Sequence, residues 1–162
     1  MASPISFSII IPTYNRPTQL VECLTAIDNQ HYSKQAFEVI VVNDGGIPLE
    51  EQIVPLQEDL HITLNNQQNT GPAQARNRGA AVARGDFLVF IDDDCTPAQD
   101  WLQQLSKYRD QLATAMIGGQ TINTLENLYS TTSQMIVDLA YQSFNPQPER
   151  AKFFDSNNMI FP

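Results

Sequence analysis

Three consecutive aspartates, Asp92, Asp93 and Asp94, follow an apolar run from Phe87 to Ile91. Like charges this close raise one another's pKa and weaken the local fold unless a cation offsets them. Carboxylates of this kind are hard oxygen ligands for Mg²⁺ or Mn²⁺, with positions left for water and phosphate oxygens. Taken alone, the cluster also reads as a solvated turn or a cap before Pro97. Asp44 follows a second apolar run, Phe37 to Val42, and precedes Gly45-Gly46. It could accept a hydrogen bond from a nucleobase or a ribose, or simply be a turn residue. Tyr14 could stack on a base. Arg76 and Arg78 lie early in an Ala-rich stretch, and one of them could present its fork to a base or phosphate.

These groups need elements that bring them together. Phe7 to Pro12 and Phe37 to Val42 are near-continuous apolar runs, the pattern of strands buried on both faces. Phe87 to Ile91 is a third, Ile62 to Leu64 a shorter one, and Ala115 to Ile122 contains another. Helices are predicted from Pro17 to about Gln30, Leu49 to Glu58, Pro72 to Arg84, Pro97 through Tyr108, and Leu125 to Phe144. Asn145 to Glu149 reads as a loop, and the last ten residues begin a strand. The Leu20, Cys23, Leu24 and Ile27 stripe faces the first helix inward. Strands alternating with helices predict an α/β fold, a mostly parallel sheet covered on both faces. Ligands of such sheets bind outside the carboxyl ends of the strands. Pro12 to Arg16, Asn43-Asp44 and Asp92 to Asp94 therefore converge on one rim if the strands are parallel.

The 162 residues carry 9 basic and 18 acidic side chains, a net charge of −9. A nucleic-acid partner is not expected, because no basic face is available to neutralise a phosphate backbone. A small phosphate ligand would need a divalent cation to bridge it to this surface. Cys23 and Cys95 lie far apart in sequence, outside any Cys/His cluster, so neither a zinc site nor a disulfide framework is suggested, and Cys95, beside the aspartates, reads as structural. His31 and His61 read as surface or satisfied histidines, Arg84 and Arg78 as a solvated helix face, and Trp101 as a core residue. No apolar run approaches the ~20 residues of a membrane span. The chain reads as soluble, from a reducing compartment.

The strings SIIIPTYNR (Ser8 to Arg16), VVNDGG (Val41 to Gly46), NTGPAQARNRGAAVARGDFLVFIDDDC (Asn69 to Cys95) and TPAQDWL (Thr96 to Leu102) resemble, in order and spacing, the family 2 glycosyltransferases with the GT-A fold. Asp155-Ser156-Asn157-Asn158-Met159 is more loosely similar to that family's acceptor-side segment. The resemblance implies sugar transfer from a UDP- or GDP-linked donor to a saccharide or lipid-linked acceptor, by an inverting displacement. Pro12, Thr13, Tyr14 and Arg16 would line the nucleotide pocket. Asp44 would meet the base, with Arg76 beside it. Asp92, Asp93 and Asp94 match the DxD region, where the carboxylates hold ribose and Mg²⁺ or Mn²⁺; Asp94 is the expected metal ligand, with Asp92. Asn157 and Asn158 would face the acceptor.

The family's base is expected beyond residue 162, so 1–162 reads as one nucleotide-sugar-binding domain truncated at its acceptor end. A non-catalytic donor-binding module is the alternative. A truncated sheet would leave an exposed apolar edge around Met159 to Phe161. The resemblance also implies a cytoplasmic location, peripheral at the inner face of a membrane. Asp92-x-Asp94-x-Thr96 satisfies the haloacid-dehalogenase opening motif as well, but only Lys107 and Lys152 follow it and no acidic pair does. A calcium EF-hand is excluded, since Pro97 occupies the place that needs glycine.

Overall fold

The apolar runs that open the chain become neighbouring central strands. In the computed structural model, which describes residues 5–108, 116–125, 127–147 and 150–162, β1 (Phe7–Thr13) is buried at every position and pairs in parallel with β2 (Phe37–Asp44). β3 (Ile62–Gln67) adds in parallel beyond β2, and β4 (Phe87–Ile91) in parallel on the other side of β1. β6 (Asn158–Phe161) runs antiparallel to β4 and to the two-residue β5 (Ile117–Gly118). The sheet order is β3-β2-β1-β4-β6-β5. The α/β, mostly parallel architecture is thus the one the alternating pattern predicts.

Successive β1 side chains serve opposite faces. Phe7, Ile9 and Ile11 join Leu20, Cys23, Leu24 and Ile27 of α1 (Pro17–Asp28), together with Leu102 and Leu105 of α4 (Trp101–Lys107). Ile10 faces the other layer, with Ile40, Val42, Phe90 and Ala75 of α3 (Pro72–Ala80). Each such aliphatic side chain contributes roughly 1.5–3 kcal/mol when fully buried. Gly79 sets how closely α3 lies on the sheet: a Cβ there would come within 2.5 Å of Ile10 Cγ2. Arg76, three residues earlier, is carried at that height above the strands.

Several boundaries differ from the sequence pattern. The segment after Leu49 splits into α2 (Glu50–Ile53) and a 3₁₀ turn, Val54–Glu58, because Pro55 lacks an N–H and interrupts the α ladder. α3 stops at Ala80 rather than Arg84, and α4 starts at Trp101 rather than Pro97. α5 (Leu128–Phe144) starts three residues late, with Asn127 Oδ1 accepting from the Ser130 amide at 2.9 Å. Glu126 and Ala115 lie outside the described residues, as do Pro148 and Glu149 of the predicted loop. β3 extends through Asn65, Asn66 and Gln67, polar residues on an edge strand.

Two expectations are overturned. Arg84 lies beyond α3 and, although its side chain is half exposed, it pairs with a buried carboxylate. Its Nε and Nη2 bond Glu38 Oε2 at 2.9 and 2.7 Å, while its amide and Ser8 Oγ donate to Glu38 Oε1 at 2.7 Å each. The Glu38 side chain is buried, so β2 carries a carboxylate inside an apolar run that hydropathy cannot distinguish from a surface one. Met159 to Phe161 form no exposed edge either. β6 is inserted between β4 and β5, and Ile160 is fully buried. Exposed apolar surface lies instead on α5, at Leu128, Tyr129, Met135, Ile136 and Leu139. No helix among the described residues is long and apolar enough to cross a membrane.

Candidate functional site

Strand register delivers the polar residues to one rim. Thr13 pairs with Asn43, Asp44 with Gln67, and Ile91 with Asn158. The carboxyl ends of β1 to β4 therefore lie side by side, and antiparallel β6 begins at the same edge. Thr13, Arg16, Asp44, Arg76, Asp92 to Asp94 and the 155–158 segment share that rim.

The loops there interlock. Asn43 Oδ1 accepts from the Gly46 amide at 3.0 Å and its Nδ2 donates to Ile47 O at 2.9 Å, an Asx-type turn. Asn15, at φ +55°, accepts from the Ile47 amide at 3.0 Å and ties the β1 loop to the β2 loop. Asn is among the few non-glycine residues that tolerate this conformation. Gly45 has φ +79°, and a Cβ there would sit 2.6 Å from the Asn69 backbone nitrogen. Only glycine allows both the turn and that approach.

Asp44 is buried. Its Oδ1 accepts from Gln67 Nε2 at 2.7 Å and the Thr70 amide at 2.9 Å, and its Oδ2 from the Gly71 amide at 2.8 Å. Burial alone would raise its pKa, but these bonds together hold it below the ordinary carboxylate value. Asp44 thus organises the loop that opens α3. Asp44→Ala is expected to lower the melting temperature by several degrees, since two backbone amides lose their acceptor, at roughly 1–3 kcal/mol in all. A thermal melt checks it; an unchanged midpoint would mean water serves those amides equally well.

The three aspartates occupy three different environments. Asp93 is 4% exposed, and its Oδ2 accepts from Thr13 Oγ1 at 2.6 Å. Asp94 has a side chain 53% exposed. Arg16 Nη1 spans the two, 2.9 Å from Asp94 Oδ2 and 3.4 Å from Asp93 Oδ1. The charge of Asp93 is the main influence raising the Arg16 pKa. Asp92 accepts from Arg76 Nη2, yet burial pushes its pKa above the ordinary value, with Asp94 and Asp93 adding to the rise. Cys95, partly buried beside Asp92 and Asp94, is raised to about 11, and buried Cys23 is raised as well. Both remain thiols at neutral pH, as structural cysteines do.

Among the described residues, no three His, Cys, Asp or Glu side chains converge as a metal cage. The rim does suit Mg²⁺ or Mn²⁺ in another way. Such ions are held by one or two carboxylates plus substrate phosphates, and Asp94 presents an accessible carboxylate for that purpose.

The remaining predicted residues are placed as follows. Pro12 is buried and Tyr14 half-exposed at the end of β1. Asn157 Oδ1 accepts from Thr121 Oγ1 at 3.2 Å, and Asn158 Oδ1 from Trp101 Nε1 at 3.3 Å. Trp101 is therefore only partly core. His31 and His61 are exposed. Arg78 is exposed on α3, away from the aspartates' hydrogen bonds. A wide hollow of about 860 Å³, lined by Ile122, Leu125, Leu128 and Met135 among others, contains none of the rim residues. Sequence reasoning missed Gln67, and it placed Asn15, Asn43 and Ser156 in the right segments without the bonds they make. Asn43 before Asp-Gly-Gly carried a readable turn signal, whereas Ser156 meets Arg76 only through the tertiary fold.

An open parallel sheet with this rim is a Rossmann-like α/β domain, whose ligands lie beyond the strand carboxyl ends. The sequence profile of glycosyl transferase family 2 matches residues 8–161, and the chain belongs to that family. It is 33% identical over 132 residues to glycosyltransferase AglE of Haloferax volcanii, covering 78% of this chain and 43% of that protein. The crystal structure of Staphylococcus aureus TarS 1-349 in complex with UDP-GlcNAc is similar, with a TM-score of 0.66 and 28% identity, covering 76% of this chain and 37% of that one. The mannosyltransferase PcManGT from Pyrobaculum calidifontis, solved with GDP-Man and Mn²⁺, shares the fold, with a TM-score of 0.74 and 21% identity over 99% of this chain and 46% of that one. The chain spans less than half the length of each.

Proposed function

We propose that this rim binds a nucleoside-diphosphate sugar, UDP- or GDP-linked, and serves its transfer to an acceptor hydroxyl with inversion. The observation that carries the reading is the convergence of Thr13, Arg16, Asp44, Arg76 and Asp92 to Asp94 on one sheet edge, in a chain of glycosyl transferase family 2. The UDP-GlcNAc complex of the similar TarS supports the donor class.

In this reading Tyr14, half-exposed, stacks on the base, and Asp44 meets its edge while holding the Thr70–Gly71 turn. Pro12 and Thr13 shape the floor. Asp92 and Asp93 face the ribose side. Asp94, with Asp92, holds Mg²⁺ or Mn²⁺, which when bound supplies positive charge to the diphosphate leaving group. Arg16, paired with Asp94 and Asp93, lies beside the same phosphates and gives up Asp94 when the ion binds. Asn157 and Asn158 stand on the acceptor side, toward a saccharide or lipid-linked hydroxyl.

Calorimetric titration of the chain with UDP and GDP, each with and without Mn²⁺, tests the reading. One nucleotide is expected to bind in a Mn²⁺-dependent manner. Absence of binding to both would overturn it.

A further inference from the structure

One cation, Arg76, holds the Asp92 carboxylate. Arg76 Nη2 donates to Asp92 Oδ1 and also, at 3.2 Å, to Ser156 Oγ. An arginine usually grips a carboxylate through two parallel bonds. Here a single nitrogen serves both partners, and Arg76 Nε is buried with no partner among the described residues. Asp92 alone therefore does not fix the orientation of the guanidinium. Ser156 supplies the second point of attachment from 80 residues further along the chain.

The residues on either side of Ser156 are held in place. The Asp155 amide donates to Tyr141 Oη at 2.8 Å. Asn157 is tied to Thr121, and Asn158 to Trp101 and, through the ladder, to Ile91. Ser156 thus joins a segment anchored on α5, α4 and β4 to a side chain of α3.

We propose that Ser156 is a positioning residue of the donor site: through Arg76 it sets the Asp92 carboxylate, and so couples the segment carrying Asn157 and Asn158 to the donor carboxylates. The proposal rests on the nucleotide-sugar reading above.

The test is calorimetry with UDP and GDP in the presence of Mn²⁺, following whichever nucleotide the unmodified chain binds. Ser156→Ala is expected to weaken binding about five- to tenfold, the scale of one ordinary hydrogen bond and less than the full worth of a bond to a charged group, because Ser156 acts on the donor only through Arg76. Ser156→Thr, which keeps the hydroxyl, is expected to restore it. In an Arg76→Lys background, Ser156→Ala should add less than about a twofold loss, because a residue acting through another is not additive with it. The proposal fails if Ser156→Ala binds like the unmodified chain, if its loss persists in full beside Arg76→Lys, or if Ser156→Thr loses as much as alanine. Unmodified protein that binds neither nucleotide overturns the donor-site reading, and this proposal with it.

Discussion

Asp94→Ala is expected to leave nucleotide binding indifferent to Mn²⁺. Of the three aspartates, Asp93 is buried against Thr13 and Asp92 is engaged by Arg76, while Asp94 is half exposed and paired with a half-exposed cation, Arg16. An exposed Arg–Asp pair contributes about 0–1 kcal/mol, so a divalent ion with phosphate oxygens can displace it. Changing a residue that merely supports a ligand typically costs 10–100-fold in metal affinity, and loss of the ligand itself is expected to cost about a hundredfold or more. The measurement is the ratio of nucleotide dissociation constants with and without Mn²⁺. That ratio should fall to about one in the variant, with the metal-free constant little changed. A ratio equal to that of the unmodified chain would move the metal to other oxygens.

Glu38→Ala is expected to be the most destabilising single change in the molecule's polar interior. Glu38 accepts from Ser8, the Arg84 amide and two nitrogens of the Arg84 guanidinium. Truncation leaves Ser8 Oγ and the Arg84 amide short of an acceptor and opens a cavity beside β1. Arg84 is about half exposed and can turn to water, which limits the loss. The expected cost is about 3 kcal/mol, below the upper range for a fully buried pair. For a chain of this size that lowers the melting temperature by about 6–12 °C. A fall under about 2 °C would show that the four bonds contribute little net stability.

The same group predicts an acid limb. Burial would raise the pKa of Glu38, but bonds from Arg84 and Ser8 outweigh it and hold the carboxyl below its ordinary value. A depressed folded-state pKa means stability that is present above the unfolded value, about 4.3, and lost as pH falls through the folded one. Asp44 contributes in the same sense. Chemical denaturation of the unmodified chain should therefore lose stability below about pH 4. Glu38→Gln should flatten part of that slope and leave the share that belongs to Asp44.

Much of this protein is legible in its sequence because the signals are local. Apolar runs over Phe7 to Pro12, Phe37 to Val42 and Phe87 to Ile91 determine central strands, since residues buried on both faces must be apolar on both. Pro17 and Pro72 mark helix starts because their fixed φ suits the first turn. Carboxylates placed just past strands point to a rim. What the local pattern cannot carry is pairing across the chain. Hydropathy marks Glu38 and Arg84 as polar, and only the packing of α3 on β1 and β2 makes them partners. The end of β4 and the start of β6 are joined by register, which also places Met159 to Phe161 inside the sheet. Asp92, Asp93 and Asp94 are chemically identical in sequence. The tertiary structure assigns them Arg76, Thr13 and Arg16, and so sets them apart as a clamped, a buried and an accessible carboxylate, because the neighbours that decide a side chain's burial and charge come from distant parts of the chain.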